Sequence, residues 1–107
     1  MAEQTIKEMI FGMEKSFVPA EAEGLDAVIQ YHFTGDDAME LYVVIKDKTC
    51  KVKEGTYENP TLAFTSTAAD YKLMGEGKLD GMKAFMTKRL VVKGDMKLAA
   101  KMQKLFP

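Results

Sequence analysis

The chain of 107 residues has one cysteine, one histidine, three prolines and no tryptophan. A lone Cys50 cannot close an internal disulfide, which suits a reducing compartment. One His and one Cys cannot compose a zinc site of the usual kind, so no metal is expected. Long apolar runs are missing as well. The longest, Leu41-Tyr42-Val43-Val44-Ile45, falls far short of the ~20 residues that cross a bilayer. Met1-Ala2-Glu3-Gln4 lacks a leader pattern, and Leu105-Phe106-Pro107 is not a peroxisomal address, so a cytoplasmic location is expected. There is no internal repeat, low-complexity segment or Pro/Ser-rich linker, and the length fits one domain over 1–107.

Charge is nearly balanced at -1 overall but unevenly spread. Residues 1–71 carry six Lys/Arg against thirteen Asp/Glu, and residues 72–107 carry nine against three. Such asymmetry has two readings: an anionic partner for the basic part, or two halves that interleave in space.

Hydrophobic periodicity supplies the elements. Thr5 to Glu8 has capping-box spacing, and Ile6, Met9, Ile10, Met13 and Phe17 then recur as the apolar stripe of one helix that ends by Pro19 and Gly24. Leu25, Ala27, Ile29, Tyr31 and Phe33 alternate with residues of the opposite face, which predicts a half-buried strand. Gly35-Asp36-Asp37 and Asp47-Lys48 turn the chain into strands carrying Met39, Leu41, Val43 and Ile45, then Cys50 and Val52. After the break at Glu58-Asn59-Pro60, a strand over 61–66 precedes two short helices opened by Thr67 and Asp80. A strand at Leu90-Val91-Val92 and a final helix beginning at Asp95 complete the pattern. That helix has Leu98, Ala99, Met102, Leu105 and Phe106 on one face and Lys97, Lys101 and Lys104 on the other. One apolar sheet face covered by amphipathic helices is the economical packing, so the class is α+β.

Catalytic constellations lack parts. His32 is the one candidate base, and Ser16 and Ser66 sit at element ends without nucleophile-elbow spacing. Cys50 has no positioned partner and reads as a small hydrophobe. Gly75-Glu76-Gly77 lacks the third glycine of a dinucleotide fingerprint, and Gly77-Lys78 lacks the rest of a P-loop. Asn59-Pro60-Thr61 fails as a glycosylation acceptor because of its proline. No aromatic-and-basic platform for nucleic acid is present. Neither enzymatic activity nor a cofactor is expected. Methionine is the compositional oddity: of nine, eight are internal and fall mostly on apolar helix faces. Flexible thioethers suit walls around a changing apolar guest, and they also serve as ordinary core filling.

The C-terminal half carries a specific pattern. Gly77-Lys78-Leu79, Met82-Lys83-Ala84-Phe85-Met86 and Leu90-Val91-Val92-Lys93-Gly94-Asp95-Met96-Lys97-Leu98 together resemble the signature of the sterol carrier protein 2 domain family. Val44-Ile45-Lys46-Asp47, Glu54-Gly55 and Glu58-Asn59-Pro60 fit the same pattern upstream. The resemblance implies a five-stranded, mostly antiparallel sheet covered on one face by helices, with an apolar tunnel between. It implies non-enzymatic binding or transfer of sterols, phospholipids, fatty acids or fatty acyl-CoA esters. Gly81 departs from the proline that often opens the Met82–Met86 helix, which leaves that start less firm. The absent peroxisomal tripeptide suggests a prokaryotic-type, stand-alone member.

On this reading Phe33 and Leu41 wall the tunnel from the sheet. Met82, Phe85, Met86, Leu98, Met102 and Phe106 wall it from the helices, and Gln103 meets a polar head at the mouth. A transient anionic membrane surface fits the lysine face of the last helix. Two other readings stay open: a dimerisation or interaction module, and an accessory subunit presenting acyl-CoA to an enzyme. Monomer and dimer are both compatible with the sequence.

Overall fold

The computed structural model describes residues 5–36 and 38–106. The readings of residues 1–4, of Asp37 in the first turn and of Pro107 lie outside the described residues. The N-terminal stripe forms two helices rather than one, α1 (Ile6–Phe11) and α2 (Met13–Ser16), divided at Gly12. The capping box is present: Thr5 Oγ1 accepts the Glu8 N–H at 3.1 Å, and the Glu8 carboxylate accepts the Thr5 N–H at 3.0 Å. Gly12 keeps right-handed helical angles, so Ile6, Ile10 and Met13 still share one buried face across the break. A 3-10 turn at Pro19–Ala22 then leads into the sheet.

Strands β1 (Ala27–Thr34), β2 (Met39–Lys46) and β3 (Thr49–Glu54) form the expected antiparallel meander. Asp47 and Lys48 both have positive φ, at 51° and 60°, as a two-residue type I′ hairpin requires. Their pairing sets Ile45 opposite Cys50 and Val43 opposite Val52, all buried on one face. Strand β4 (Leu62–Thr67) lies parallel to β1, and β5 (Val91–Gly94) runs antiparallel to β4, giving the order β3-β2-β1-β4-β5. The mostly antiparallel α+β fold is therefore as expected.

The parallel seam exists because residues 55–61 cross the outer sheet face between β3 and β4. Gln30, fully buried on that face, holds the crossing segment. Its side-chain carbonyl accepts the Tyr57 N–H at 2.7 Å, and its amide nitrogen lies 3.0 Å from the Leu41 carbonyl and 3.1 Å from the Gly55 carbonyl. Two amide hydrogens satisfy two such acceptors, so the buried group is fully paired. Tyr57 rests on Tyr42, with ring centroids 5.5 Å apart.

Three helices complete the fold: α3 (Ala68–Gly75), α4 (Gly81–Met86) and α5 (Met96–Leu105). Thr67, Asp80 and Asp95 cap them through backbone N–H groups. Helix α3 ends in a Schellman turn at Gly77, with the Lys78 N–H bonding the Leu73 carbonyl at 2.8 Å. At the end of β5, Gly94 sits at φ 112° directly against β4. A Cβ there would strike the Thr61 carbonyl oxygen and stand 3.0 Å from Leu62 Cα. This close approach explains the glycine inside the Lys93-Gly94-Asp95 motif.

Candidate functional site

The inner sheet face and the helices enclose one apolar cluster. It takes Ile29, Tyr31 and Phe33 from β1, Leu41, Val43 and Ile45 from β2, and Leu98 and Leu105 from α5. Alternation along the strands puts these side chains on one face, and the 3.6-residue period does the same for α5. Met102 and Phe106 are half-buried against the same cluster. The end of α5 is tied down twice: the Leu105 carbonyl accepts the Val18 N–H at 2.9 Å, and the Phe106 ring lies 5.7 Å from that of Phe17.

Four rings fill the centre. Tyr31 is 5.7 Å from Phe33, 5.4 Å from Phe64 and 5.6 Å from Tyr71, and Tyr71 is 5.2 Å from Phe33. Offset and edge-on contacts of this kind are the favourable ones. Burial pushes the Tyr31 phenol well above its ordinary range, with the Tyr71 phenol adding to the rise, and burial raises Tyr71 as well. Both rings thus stay neutral and keep a hydroxyl group inside the apolar cluster. Ser66, opposite Phe33 in the parallel register, is a third buried hydroxyl, and it donates to the Thr67 carbonyl at 3.0 Å. Cys50 lies buried at the cluster's edge; burial, with the Glu14 carboxylate adding, pushes its thiol up to about 11.

Of the nine residues read from the sequence as lining a ligand space, Phe33, Leu41, Leu98, Met102 and Phe106 meet in this cluster. Gln103 is exposed beside it. The other three stand apart from the expectation: Met82 is 65% exposed, Phe85 42% and Met86 74%. The reason lies in α4. This six-residue helix turns its small side chain, Ala84, inward, and its larger apolar side chains then face water. In the structure the region expected to be a tunnel is occupied by the ring cluster and its aliphatic neighbours. Two open concavities lie elsewhere. One, of about 390 Å³, is lined by Gly24, Leu25, Asp26, Asp47 and Lys48. The other, of about 300 Å³, sits on the outer face beside Val28, Val44 and Tyr57.

Nucleophile and base are separated. His32 projects from the outer face of β1 and its Nδ1 pairs with Glu40 directly across the strands. Ser66 faces the opposite side of the sheet, and Cys50 is held as a buried thiol. Among the described residues, no three His, Cys, Asp or Glu side chains converge as a metal would need, and no helix is long and apolar enough to cross a membrane.

Sequence reasoning left Phe64, Tyr71 and Phe17 out of the site. The parallel register that sets Phe64 beside Tyr31 has no local sequence signal.

The solution structure of palmitated SCP2L2 from Aedes aegypti superposes with a TM-score of 0.73 at 24% identity, covering 97% of this chain and 93% of that one. A double mutant of the sec-alkyl sulfatase PisA1 superposes at 0.83 with 15% identity, over 94% of this chain and 16% of the enzyme. These likenesses concern the fold. Hydroxysteroid dehydrogenase-like protein 2 of Rattus norvegicus is 32% identical over 80 residues, which is 74% of this chain and 15% of that protein. The chain therefore spans less than a fifth of the length of that curated relative. Residues 7–107 match the model of the SCP-2 sterol transfer family, a family of lipid-binding domains, and with the five-stranded sheet and helical cover described above the chain belongs to that family.

Proposed function

We propose that the chain reversibly binds a long-chain lipid between the inner sheet face and helix α5 and transfers it, without catalysis, as a cytoplasmic carrier. The observation that carries this reading is the cover formed by α5. Leu98 and Leu105 are buried, while Met102 and Phe106 are only half-buried at the rim of the same apolar volume. Cargo enters by displacing these rim side chains, and the unbranched Met102 moves at little rotameric cost. Burying an acyl chain is worth ~0.8 kcal/mol per CH₂, so a long chain offers on the order of 10 kcal/mol. Ordering of ligand and walls removes several kcal/mol, which leaves binding near the micromolar range. Apolar burial makes few demands on head-group chemistry, and fatty acids, fatty acyl-CoA esters, sterols and phospholipids all qualify. The buried hydroxyls of Tyr31, Tyr71 and Ser66 are the groups available to a polar atom of the cargo.

The palmitated state of the Aedes aegypti protein makes palmitate the first cargo to test. Native mass spectrometry of freshly purified protein should find a co-purified lipid, and a fluorescent fatty acid should titrate saturably into delipidated protein. Folded, delipidated protein with no saturable signal up to high micromolar probe would refute the reading. A second reading, an accessory domain that presents lipid to an enzyme, is favoured by the small share of the sulfatase and the dehydrogenase-like protein that this fold covers. Co-purification with a lipid-metabolising enzyme distinguishes it.

A further inference from the structure

Six large hydrophobic side chains of the described residues are exposed, and five of them, Met82, Phe85, Met86, Val91 and Met96, fall between residues 82 and 97. On α4, Met82, Phe85 and Met86 stand at i, i+3 and i+4, so they share one outward face. The same stretch contains Lys83, Lys88, Arg89, Lys93 and Lys97 against a single acid, Asp95. Asp95 is engaged in capping α5, where its Oδ1 accepts the Lys97 N–H at 2.9 Å. Arg89 is neutralised by Asp70 through bonds of 2.7 and 3.2 Å, which also tether the end of α4 to α3. Among the described residues, no carboxylate lies within 4 Å of Lys83, Lys88, Lys93 or Lys97.

We infer that residues 82–97 form a docking surface for an anionic lipid bilayer. Apolar side chains that enter the headgroup boundary and lysines that stay at its level are the two components of interfacial binding. Lys83 and Lys88 neighbour Met82, Phe85 and Met86 in the chain, and lysine stems are long enough to reach headgroups from beside such a face. A second copy of the chain is the weaker occupant, because a symmetric contact would set these unpaired lysines against one another. The surface lies outside the apolar cluster, so docking does not depend on the cargo reading. It does assign Met82, Phe85 and Met86 to a membrane rather than to the wall of a ligand space.

The test uses the full chain with vesicles of phosphatidylcholine alone or with about 30% phosphatidylglycerol. The parent should bind the anionic vesicles at least about tenfold better, and salt near 0.5 M should remove most of that preference. Met82→Ser/Phe85→Ser/Met86→Ser should lose about tenfold or more in binding while melting like the parent, since the three side chains are exposed. An environment-sensitive dye on Met86→Cys should shift to the blue on anionic vesicles, and the same dye on Lys51→Cys of β3 should not. Native Cys50 is buried and held as a thiol, so labelling falls on the introduced cysteine.

Several results would overturn the inference. They are a parent indifferent to lipid charge, a triple variant that binds vesicles as the parent does, and a Met86→Cys dye that shifts with monomeric palmitate but not with vesicles. A dimer dissolved by the triple substitution, with no vesicle binding, would give the face to a second copy. If the triple variant fails to fold, the labelled single variant decides alone.

Discussion

Glu14 and Val52 are 38 residues apart in sequence, and the Glu14 carboxylate accepts the Val52 backbone N–H at 2.7 Å. Val52 lies on the edge strand β3, whose outward N–H groups would otherwise be open to another strand. A carboxylate from α2 thus occupies the edge and docks the N-terminal helices in one contact. Removing it strands a backbone donor. Glu14→Ala should cost ~1–3 kcal/mol, and Glu14→Gln, which keeps an accepting oxygen, clearly less. Urea melts measure both; equal losses would mean that bulk rather than the bond does the work.

Cys50 makes stability sensitive to alkali. Its thiol is raised from 9.0 to about 11 in the folded protein, so the folded state holds this proton more tightly than the unfolded chain. The resulting stabilisation is complete below about pH 9 and is lost as pH climbs through the folded value, a change of ~1–2 kcal/mol after allowance for solvent. The raised phenols of Tyr31 and Tyr71 act in the same direction above pH 10. Chemical denaturation at stepped pH should show the decline, and Cys50→Ala should flatten its lower part. An unchanged slope in that variant would assign the decline to the tyrosines.

At the β5–β4 seam the expectation is loss of folding competence. Gly94→Ala adds a Cβ where the Thr61 carbonyl already stands, at a φ that L residues rarely adopt. The backbone has no flexible neighbour to yield, so the cost should be ~2–4 kcal/mol, enough to leave little soluble protein. A variant melting within a degree or two of the parent would mean that β5 slides outward without penalty.

Cargo binding should separate two adjacent residues. Met102 packs on the apolar cluster, and Lys101 carries its charge at the polar edge of α5. A charge at Met102 would sit at the entrance to an apolar volume, so Met102→Lys should weaken fatty-acid binding by about tenfold or more while keeping a cooperative melt. Lys101→Glu should bind near normally. Equal affinity in the two variants would remove Met102 from the entry route.

Strand alternation and caps were legible because they are local. Ile29, Tyr31, Phe33, Leu41, Val43 and Ile45 announce their burial through period two, and Thr67, Asp80 and Asp95 cap helices where their side chains predict. The specific C-terminal motif identified the family without any structure, and the close approach of Gly94 to β4 gives one of its residues a steric reason. What escaped was orientation. The spacing of Met82, Phe85 and Met86 fixes a common face but not which way the face turns, and one buried Ala84 reverses it. The split at Gly12 escaped for a similar reason, since the apolar stripe continues through it.

The parallel seam between β1 and β4 has a kinetic consequence. The three-stranded meander closes through short turns, so its contacts pay little loop-closure entropy. The seam unites partners such as Val28 and Thr61, which bond across 33 residues, so it should form after the outer-face crossing. Folding should therefore nucleate in β1–β2–β3, with mutations at Val43 or Ile45 slowing refolding. Mutations in β5 and α5 should chiefly hasten unfolding. The last part to assemble and the first to leave would be α5 and its neighbouring edge, so the cover opens along the molecule's own unfolding route.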